Sequence, residues 1–113
     1  MGIFRLYSGS DGESHLEEID LADHPELTAQ HNVAGVIFRE SPTGRFSDWH
    51  NAPRRQYVVN LSGEVEIGLG DGTVKRFGPG HVTLAEDLTG HGHIARGLGE
   101  GERYILAVPL AEA

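Results

Sequence analysis

Sixteen glycines divide this chain of 113 residues into short runs, and this spacing limits the folds open to it more than any other feature. Glycine lacks a Cβ atom and therefore adopts the positive φ values of tight turns. The runs between the glycines are rich in β-branched and aromatic residues, and turn signals recur about every 8 to 12 residues. The sequence therefore predicts an all-β protein, built as a sandwich or a barrel.

The clearest strand is EVEIGL, residues 64–69, where glutamates and apolar residues alternate with the two-residue period of a half-buried strand. The next residues, GDG, tolerate turn dihedrals and predict a hairpin whose return strand is TVKRF. HPEL predicts one short helical turn, and HLEEIDL is compatible with a strand or a helical turn. Further strands are predicted at residues 3–8, 33–41, 55–62, 81–87, 93–97 and 103–110.

Composition excludes several classes of function. The net charge of −8 argues against nucleic acid as a partner, because a binding site for the phosphate backbone normally shows as a basic patch. The absence of cysteine excludes disulfides and thiolate metal sites. No apolar run approaches the roughly 20 residues that span a bilayer, and no secretory signal opens the chain. We therefore expect a cytoplasmic protein with no membrane partner.

A polar stretch, GRFSDWHNAPRRQYVVNLSG at residues 44–63, leads into an apolar strand and ends on a glycine. Its spacing resembles the first motif of the cupin superfamily, a group of small jelly-roll β-barrels. Gly44, His50, Ala52, Gln56 and Gly63 stand at the glycine, histidine, histidine, glutamate and glycine positions of that motif. Two of its three ligand positions thus differ, since an alanine and a glutamine replace a histidine and a glutamate.

The second cupin motif is matched in its central part. Gly90 and His93 have the expected spacing, whereas Leu88 replaces the proline, Gly97 replaces the asparagine, and Gly80 lies too far upstream. The resemblance covers most of residues 35–108 and is similar in detail to small single-domain bacterial cupins. It implies one domain, residues 1–113, with N-terminal strands in 1–41 and the motif core in 44–108, folded as a cupin-type jelly-roll β-barrel.

The motif positions predict a metal site formed by His50, Gln56 and His93, with His91 as a further ligand or proton shuttle. Residues i and i+2 share a face of a strand, so His50 and Gln56 have the same parity, and a jelly roll would bring His93 opposite His50. Imidazole and amide oxygen can hold Zn²⁺, Ni²⁺, Fe²⁺ or Mn²⁺, although an uncharged amide binds more weakly than a carboxylate. The alternative is a set of hydrogen-bonded histidines without an ion.

Four residues near the motifs are predicted to contact a substrate: Trp49, Arg54, Asn60 and His91. Arg54 has the parity of the pocket face, where a guanidinium can hold a carboxylate or phosphate in bidentate fashion. Its alternative role is an ion pair with Asp48 or Glu86, and that of Trp49 is to plug the core or the rim. Glu86 and Asp87 are candidates for a general acid or base if they reach a substrate.

The other histidines are expected on the surface. His15 is predicted to take part in a surface ion pair, His24 and His31 to be solvated, and His81 to be exposed at a corner.

Two functions remain open from the sequence. The first is a metal-dependent enzyme of the isomerase, lyase or oxygenase class, acting on a small oxygenated or anionic substrate. The second is a non-catalytic cupin that binds a small ligand without metal. A homodimer is expected in either case, largely because the resemblance to cupins implies it. The strand at 3–8 would also benefit from cover if it lay unpaired at a sheet edge.

Overall fold

The computed structural model describes residues 2–42 and 44–111, which form two packed β-sheets. The strands in these residues are β1 (Ile3–Ser8), β2 (Ser14–Glu18), β3 (Ile37–Ser41), β4 (Phe46–His50), β5 (Gln56–Asn60), β6 (Glu64–Gly68), β7 (Val74–Phe77), β8 (Val82–Glu86), β9 (His93–Leu98) and β10 (Arg103–Pro109). A 3₁₀ helix, Leu21–Asp23, and one helical turn, α1 (Pro25–Thr28), join β2 to β3. No helix among the described residues is long and apolar enough to cross a bilayer.

The larger sheet has the strand order β2-β1-β8-β5-β10-β3, and the smaller sheet has the order β4-β9-β6-β7. Neighbours pair antiparallel except β1 and β8, which run parallel. The chain passes between the sheets at six connections: β3–β4, β4–β5, β5–β6, β7–β8, β8–β9 and β9–β10. The all-β prediction of the jelly-roll type is confirmed.

Most strand predictions agree with the structure within two residues, but the strand expected at 33–41 is shorter. Only Ile37–Ser41 pairs with β10, while Val33 makes an isolated bridge to Leu110 and Val36 is 56% exposed. The segment 15–21, open between strand and helical turn, contains both, since β2 is followed by the 3₁₀ helix. The side chain of Asp20 begins that helix by accepting a hydrogen bond from the Ala22 amide at 3.0 Å.

The first strand does not lie at an edge. β1 is covered by β2 on one side and by β8 on the other, and the edges of the two sheets are β2, β3, β4 and β7. The argument for a homodimer from an uncovered first strand is therefore wrong, because the turn at residues 9–13 folds β2 back over it. The homodimer itself stays a prediction.

The hydrophobic core lies between the sheets around Leu6 of β1, which is 1% exposed. Val65 and Ile67 of β6 pack there with Leu69 and Phe77, as the alternation in EVEIGL predicts. The hairpin at GDG is also present, and the Thr73 amide donates to the Asp71 carboxylate at 2.8 Å. These contacts fill only one part of the space between the sheets. The remaining part is a cavity.

His81 is buried, so the expectation that it is exposed is wrong. Its ring stacks on Phe77 with centroids 3.7 Å apart and an interplanar angle of 8°, and only 2% of the residue is accessible. Nε2 hydrogen-bonds with the Thr83 hydroxyl at 2.8 Å. The corner formed by GPG directs the ring inward, where burial disfavours the charged imidazolium and lowers the pKa of His81 to about 4.

This lowered pKa predicts a loss of stability in mild acid. Below about pH 6.5 the unfolded chain takes up a proton on His81 that the folded chain does not accept until about pH 4. The free energy of unfolding should therefore fall as the pH drops through this window, by up to about 1.4 kcal/mol per pH unit from this group. Denaturant unfolding of His81→Leu at pH 6.5 and 4.5 should show a smaller fall than the wild type.

His24→Gln is the matched control, because His24 is exposed and lies beside Glu26 on the surface. It should keep the wild-type pH dependence. Equal slopes for His81→Leu and the wild type would contradict the assignment of this proton uptake to His81.

Candidate functional site

A cavity of about 400 Å³ lies between the two sheets, beside the packed core. Its middle is lined by aliphatic residues, among them Val58 and Ala107 of the larger sheet and Ile67 of the smaller one. Polar side chains line its two ends. A barrel of this size that served only as a scaffold would be filled by side chains, so the open and partly polar interior makes this cavity the candidate binding site.

The strand register separates the two ends. Gln56 lies beside Ala85 at the start of β5, whereas Asn60 lies beside Ile105 at its other end. Four residues of strand at about 3.3 Å each place roughly 13 Å between the two positions. We call the first end, with His50, Gln56 and His93, the histidine end. The arginine end is formed by Asn60, Arg103, Arg39 and Arg45.

His50 and His93 meet as the sequence predicted. They are paired across β4 and β9, and their ring centroids are 4.3 Å apart. Gly92 allows this approach, since its φ is +80° and a Cβ atom there would lie 2.2 Å from the carbonyl oxygen of His50. A side chain at position 92 would push the two strands apart at the level of the imidazoles.

Both rings use Nδ1 to bond to the protein. His50 Nδ1 donates to the carbonyl oxygen of Asp48 at 2.7 Å, and His93 Nδ1 donates to Oδ2 of Asp87 at 2.6 Å. A carbonyl or carboxylate can only accept, so the proton of each neutral ring is on Nδ1. The Nε2 atoms then carry lone pairs, and neither has a hydrogen-bond partner among the described residues.

Asp87 fixes the orientation of the His93 ring. It has no accessible surface, and besides His93 it accepts hydrogen bonds from the Ser14 hydroxyl at 2.7 Å and the Ala52 amide at 3.3 Å. A buried carboxylate needs such partners, because an unpaired one is costly to remove from water. Asp87 therefore cannot touch a substrate, and its candidate role as a general acid or base is replaced by that of orienting His93.

Gln56 also lies at the histidine end, but for a different reason from the one predicted. The parity argument is wrong because β4 ends at His50 and β5 begins at Gln56 in the other sheet, so alternate residues cannot be counted from one to the other. The Gln56 oxygen, Oε1, accepts a hydrogen bond from Arg54 Nη1 at 3.1 Å.

Arg54 itself is exposed and is not among the residues that line the cavity. Its guanidinium reaches the histidine end only through the oxygen of Gln56. Neither of the ion pairs considered for it, with Asp48 or with Glu86, is present among the described residues. Glu86 pairs instead with Arg5 and with Arg55, the latter at 2.8 Å.

A metal ion fits this end incompletely. His50 and His93 supply two imidazole nitrogens, but the oxygen of Gln56 is held by a guanidinium whose charge opposes a cation. Among residues 2–42 and 44–111, no group of three or more histidines and carboxylates is arranged to hold an ion. The arrangement therefore lacks a free third protein ligand of the kind that structural and catalytic zinc sites use.

Trp49 and His91 lie outside the cavity. Their rings stack with centroids 3.9 Å apart, and His91 Nδ1 pairs with Glu13 Oε2 at 2.9 Å. Trp49 is 41% exposed, so the pair caps the outer surface beside β4. His91 therefore points away from the position at which a further metal ligand was expected, toward the turn between β1 and β2.

Of the four residues predicted to contact a substrate, Asn60 is the one that lines the cavity. It is 2% exposed, and its amide nitrogen donates to the Gly63 carbonyl at 2.7 Å. Its oxygen accepts from Arg103 Nη1 at 3.2 Å. Sequence reasoning missed Arg103, which begins the last strand far from either motif and carries no local signal of an inward position.

The remaining histidines lie where they were expected. His15 forms a surface ion pair with Asp11 at 3.0 Å, and His24 is paired with Glu26 at 2.8 Å. His31 is exposed and hydrogen-bonds through Nε2 with the Tyr57 hydroxyl at 2.6 Å. None of the three lines the cavity.

Similarity to solved structures shows which fold this chain has. A cupin domain from Bordetella pertussis is similar to this chain with a TM-score of 0.51 and 16% identity, over 68% of this chain and 80% of that one. The Cnp3 cupin domain of Schizosaccharomyces pombe matches with a TM-score of 0.51 and 12% identity, over 87% and 73%. The chain has the cupin fold.

A conserved protein of unknown function from Streptococcus pyogenes is also similar, with a TM-score of 0.50 and 24% identity over 74% of this chain and 70% of that one. No family model matches the sequence, and no curated protein matches it. At these identities the likeness concerns the cupin fold alone. The chemistry of this cupin barrel therefore has to be argued from its own residues.

Asp87→Asn should destabilise the protein and loosen His93. An asparagine would turn an NH₂ group toward one of the donors that now share the carboxylate, leaving a buried donor without an acceptor. We expect a loss of about 1–3 kcal/mol in the free energy of unfolding. Nitrogen chemical shifts of the His93 ring should show both tautomers in place of one.

Asp23→Asn is the control, because Asp23 is exposed in the 3₁₀ helix. It should change the free energy of unfolding by no more than about 0.5 kcal/mol. If Asp87→Asn were as stable as Asp23→Asn with one His93 tautomer retained, the orienting role of Asp87 would be refuted.

Proposed function

We propose that this cupin barrel binds a small oxygenated or anionic molecule inside its cavity, where His50 and His93 contact it. The observation that carries the proposal is the pair of imidazoles whose Nδ1 protons are already given to the protein. Each Nε2 lone pair is then available to a hydroxyl group or another hydrogen donor of a ligand. The cavity volume of about 400 Å³ suits a molecule of metabolite size.

The polar lining of the cavity supports the proposal, because polar groups that face an open space lower the stability of the fold. A barrel that needed only stability would gain more from aliphatic side chains than from polar groups facing an open space. Here one oxygen of the completely buried Asp87 carboxylate is bonded to His93 and holds that ring in one orientation. An oriented imidazole with a free Nε2 is the group that protein sites use to accept a proton from a ligand.

Ligand binding should depend on His93. In a thermal-shift screen of small metabolites, a molecule that binds in the cavity raises the apparent melting temperature by mass action, by several degrees when it is in large excess over its dissociation constant. His93→Ala should lose most of this shift because it removes the Nε2 acceptor. His93→Gln, which keeps a donor for Asp87, is the second variant in case the alanine variant fails to fold.

His24→Ala is the matched control, since it removes a histidine that lies outside the cavity. It should retain the full shift. A ligand that shifts all of these variants equally binds elsewhere, and such a result for every hit would refute the proposal.

The second candidate is the metal-dependent enzyme predicted from the sequence, with Zn²⁺, Ni²⁺, Fe²⁺ or Mn²⁺ held by His50, His93 and Gln56. One observation favours it, because histidines that ligate metals usually give their other ring proton to a carboxylate or carbonyl, as His93 and His50 do. The bond from Arg54 to the oxygen of Gln56 counts against it. A bound ion would act as a Lewis acid on an oxygenated substrate, or bind O₂ if it were iron.

Metal analysis separates the two candidates. The second candidate predicts near-stoichiometric metal in protein purified without a histidine tag, and loss of that metal in His93→Ala. We expect the wild type to hold clearly less than one ion per chain, and Arg54→Ala to raise that content by releasing the oxygen of Gln56. A stoichiometric ion in the wild type would make the metal enzyme the better reading.

A further inference from the structure

The arginine end carries positive charge that the described part of the protein does not neutralise. Arg39, Arg45 and Arg103 line the cavity there, and none has a carboxylate oxygen within ion-pair distance among residues 2–42 and 44–111. Guanidinium groups remain charged at any physiological pH. Arg39 and Arg45 are exposed to water, so the charge that requires an explanation is that of the partly buried Arg103.

Most of the other arginines do have partners, although the exposed Arg76 of β7 forms no ion pair among the described residues. Arg5 and Arg55 both pair with Glu86, and Arg96 lies over the Phe46 ring at 5.3 Å. At the arginine end the nearest carboxylate on a lining residue is that of Glu40. The neighbouring Glu102 raises the pKa of Glu40, so these two carboxyl groups face each other rather than an arginine.

Arg103 has a buried N–H group without a hydrogen-bond acceptor among the described residues. Its Nη1 donates to Asn60, but its Nε is buried and has no hydrogen-bond partner. A buried donor without an acceptor costs free energy comparable to a lost hydrogen bond. Burial also lowers the pKa of Arg103, which records the cost of keeping this charge away from water.

The geometry of the Arg103 guanidinium indicates which kind of acceptor group would fit beside it. With Nη1 bonded to Asn60, the edge formed by Nε and Nη2 remains without a protein partner. Two parallel N–H donors on that edge match the two oxygens of a carboxylate or phosphate group. Asn60 cannot turn to satisfy Nε, because its amide is fixed by the Gly63 carbonyl.

Gly63 allows the Arg103 side chain to pack closely against the turn between β5 and β6. Its φ of +74° makes the turn between β5 and β6, and a Cβ atom there would approach the Arg103 side chain at 3.3 Å. The stem of the arginine therefore packs against the turn, at the end of the cavity that Arg103 lines. The turn, the asparagine and the arginine together form a built site rather than a loose surface charge.

We infer that the arginine end is an oxyanion subsite, in which Arg103, supported by Arg39 and Arg45, binds the carboxylate or phosphate group of a ligand. The inference rests on the proposed function and adds the class of ligand: a small organic acid with its anionic group at the arginine end. Its other end contacts His50 and His93, and its middle crosses the aliphatic part of the cavity. The separation of roughly 13 Å fits an acid with a short carbon chain rather than a single inorganic ion.

Three probes test the subsite: hexanoate, its uncharged analogue hexanamide, and inorganic phosphate. Binding is followed at low salt by nitrogen–proton NMR, in which the arginine Nε–H signals and the histidine ring signals report the two ends separately. We expect hexanoate to move the Arg103 Nε signal and to bind at least about tenfold more tightly than hexanamide, as expected for charge-assisted hydrogen bonds. Phosphate should move the arginine signal alone.

Two substitutions and one control complete the test. Arg103→Gln should weaken hexanoate at least about tenfold, and Arg103→Lys, which keeps the charge but not the two-donor edge, should lie between it and the wild type. Arg76→Gln makes the same change of charge on the exposed face of β7 and should bind like the wild type.

The outcomes distinguish this inference from the proposed function. Suppose that hexanoate and hexanamide bind equally, that Arg103→Gln does not change the affinity, and that the His50 and His93 signals move. The subsite is then overturned and the proposed function stands. If Arg103 responds to hexanoate but His93→Ala keeps the full thermal shift for every hit of the metabolite screen, the subsite stands and the proposed function fails. No binding of either anion at millimolar concentration overturns the subsite.

Discussion

The structure of this protein depends on the carboxylate of Asp87 more than on any other single group. It lies just past the end of β8 and is bonded to β2 through Ser14, to the connection between the sheets through Ala52, and to β9 through His93. Three parts of the chain that are distant in sequence thus meet on one buried charge. Removing such a charge's partners is strongly destabilising, commonly by about 3–5 kcal/mol, so the fold and the site are stabilised by the same contacts.

Much of the fold follows from local sequence. The alternation in EVEIGL, the hairpin at GDG and the spacing of glycines fix strands whose side chains face inward at every second position. The motif spacing also predicts that His50 and His93 meet. These features depend on residues near one another in the sequence, or on a resemblance that fixes the strand order. They can be predicted even though Ala52 and Gln56 replace the histidine and the glutamate of the first motif.

The environment of individual polar groups is less predictable, because it depends on which strands become neighbours. The corner at GPG gives no indication that His81 stacks on Phe77 rather than facing water. Likewise, the parity of Arg54 indicated an inward side chain, but the chain changes sheets before it, so the counting of alternate residues fails there. The inward position of Arg103 is set by its pairing with Ser41 across β3 and β10, which no short motif encodes.

The distribution of charge connects the two ends of the cavity. The chain as a whole is acidic, yet the polar groups that line its interior are mostly imidazoles, amides, hydroxyls and guanidiniums. Among the described lining residues the one carboxyl group is that of Glu40, which hydrogen-bonds with Glu102. An acidic exterior repels small anions at long range, but the field inside a low-dielectric cavity is dominated by the nearest charges. Arg103 therefore sets the sign of the interior, and screening by salt weakens the outer repulsion more than this buried attraction. In the function that we propose, the interior charge selects a ligand by its anionic group and the two imidazoles orient its other end.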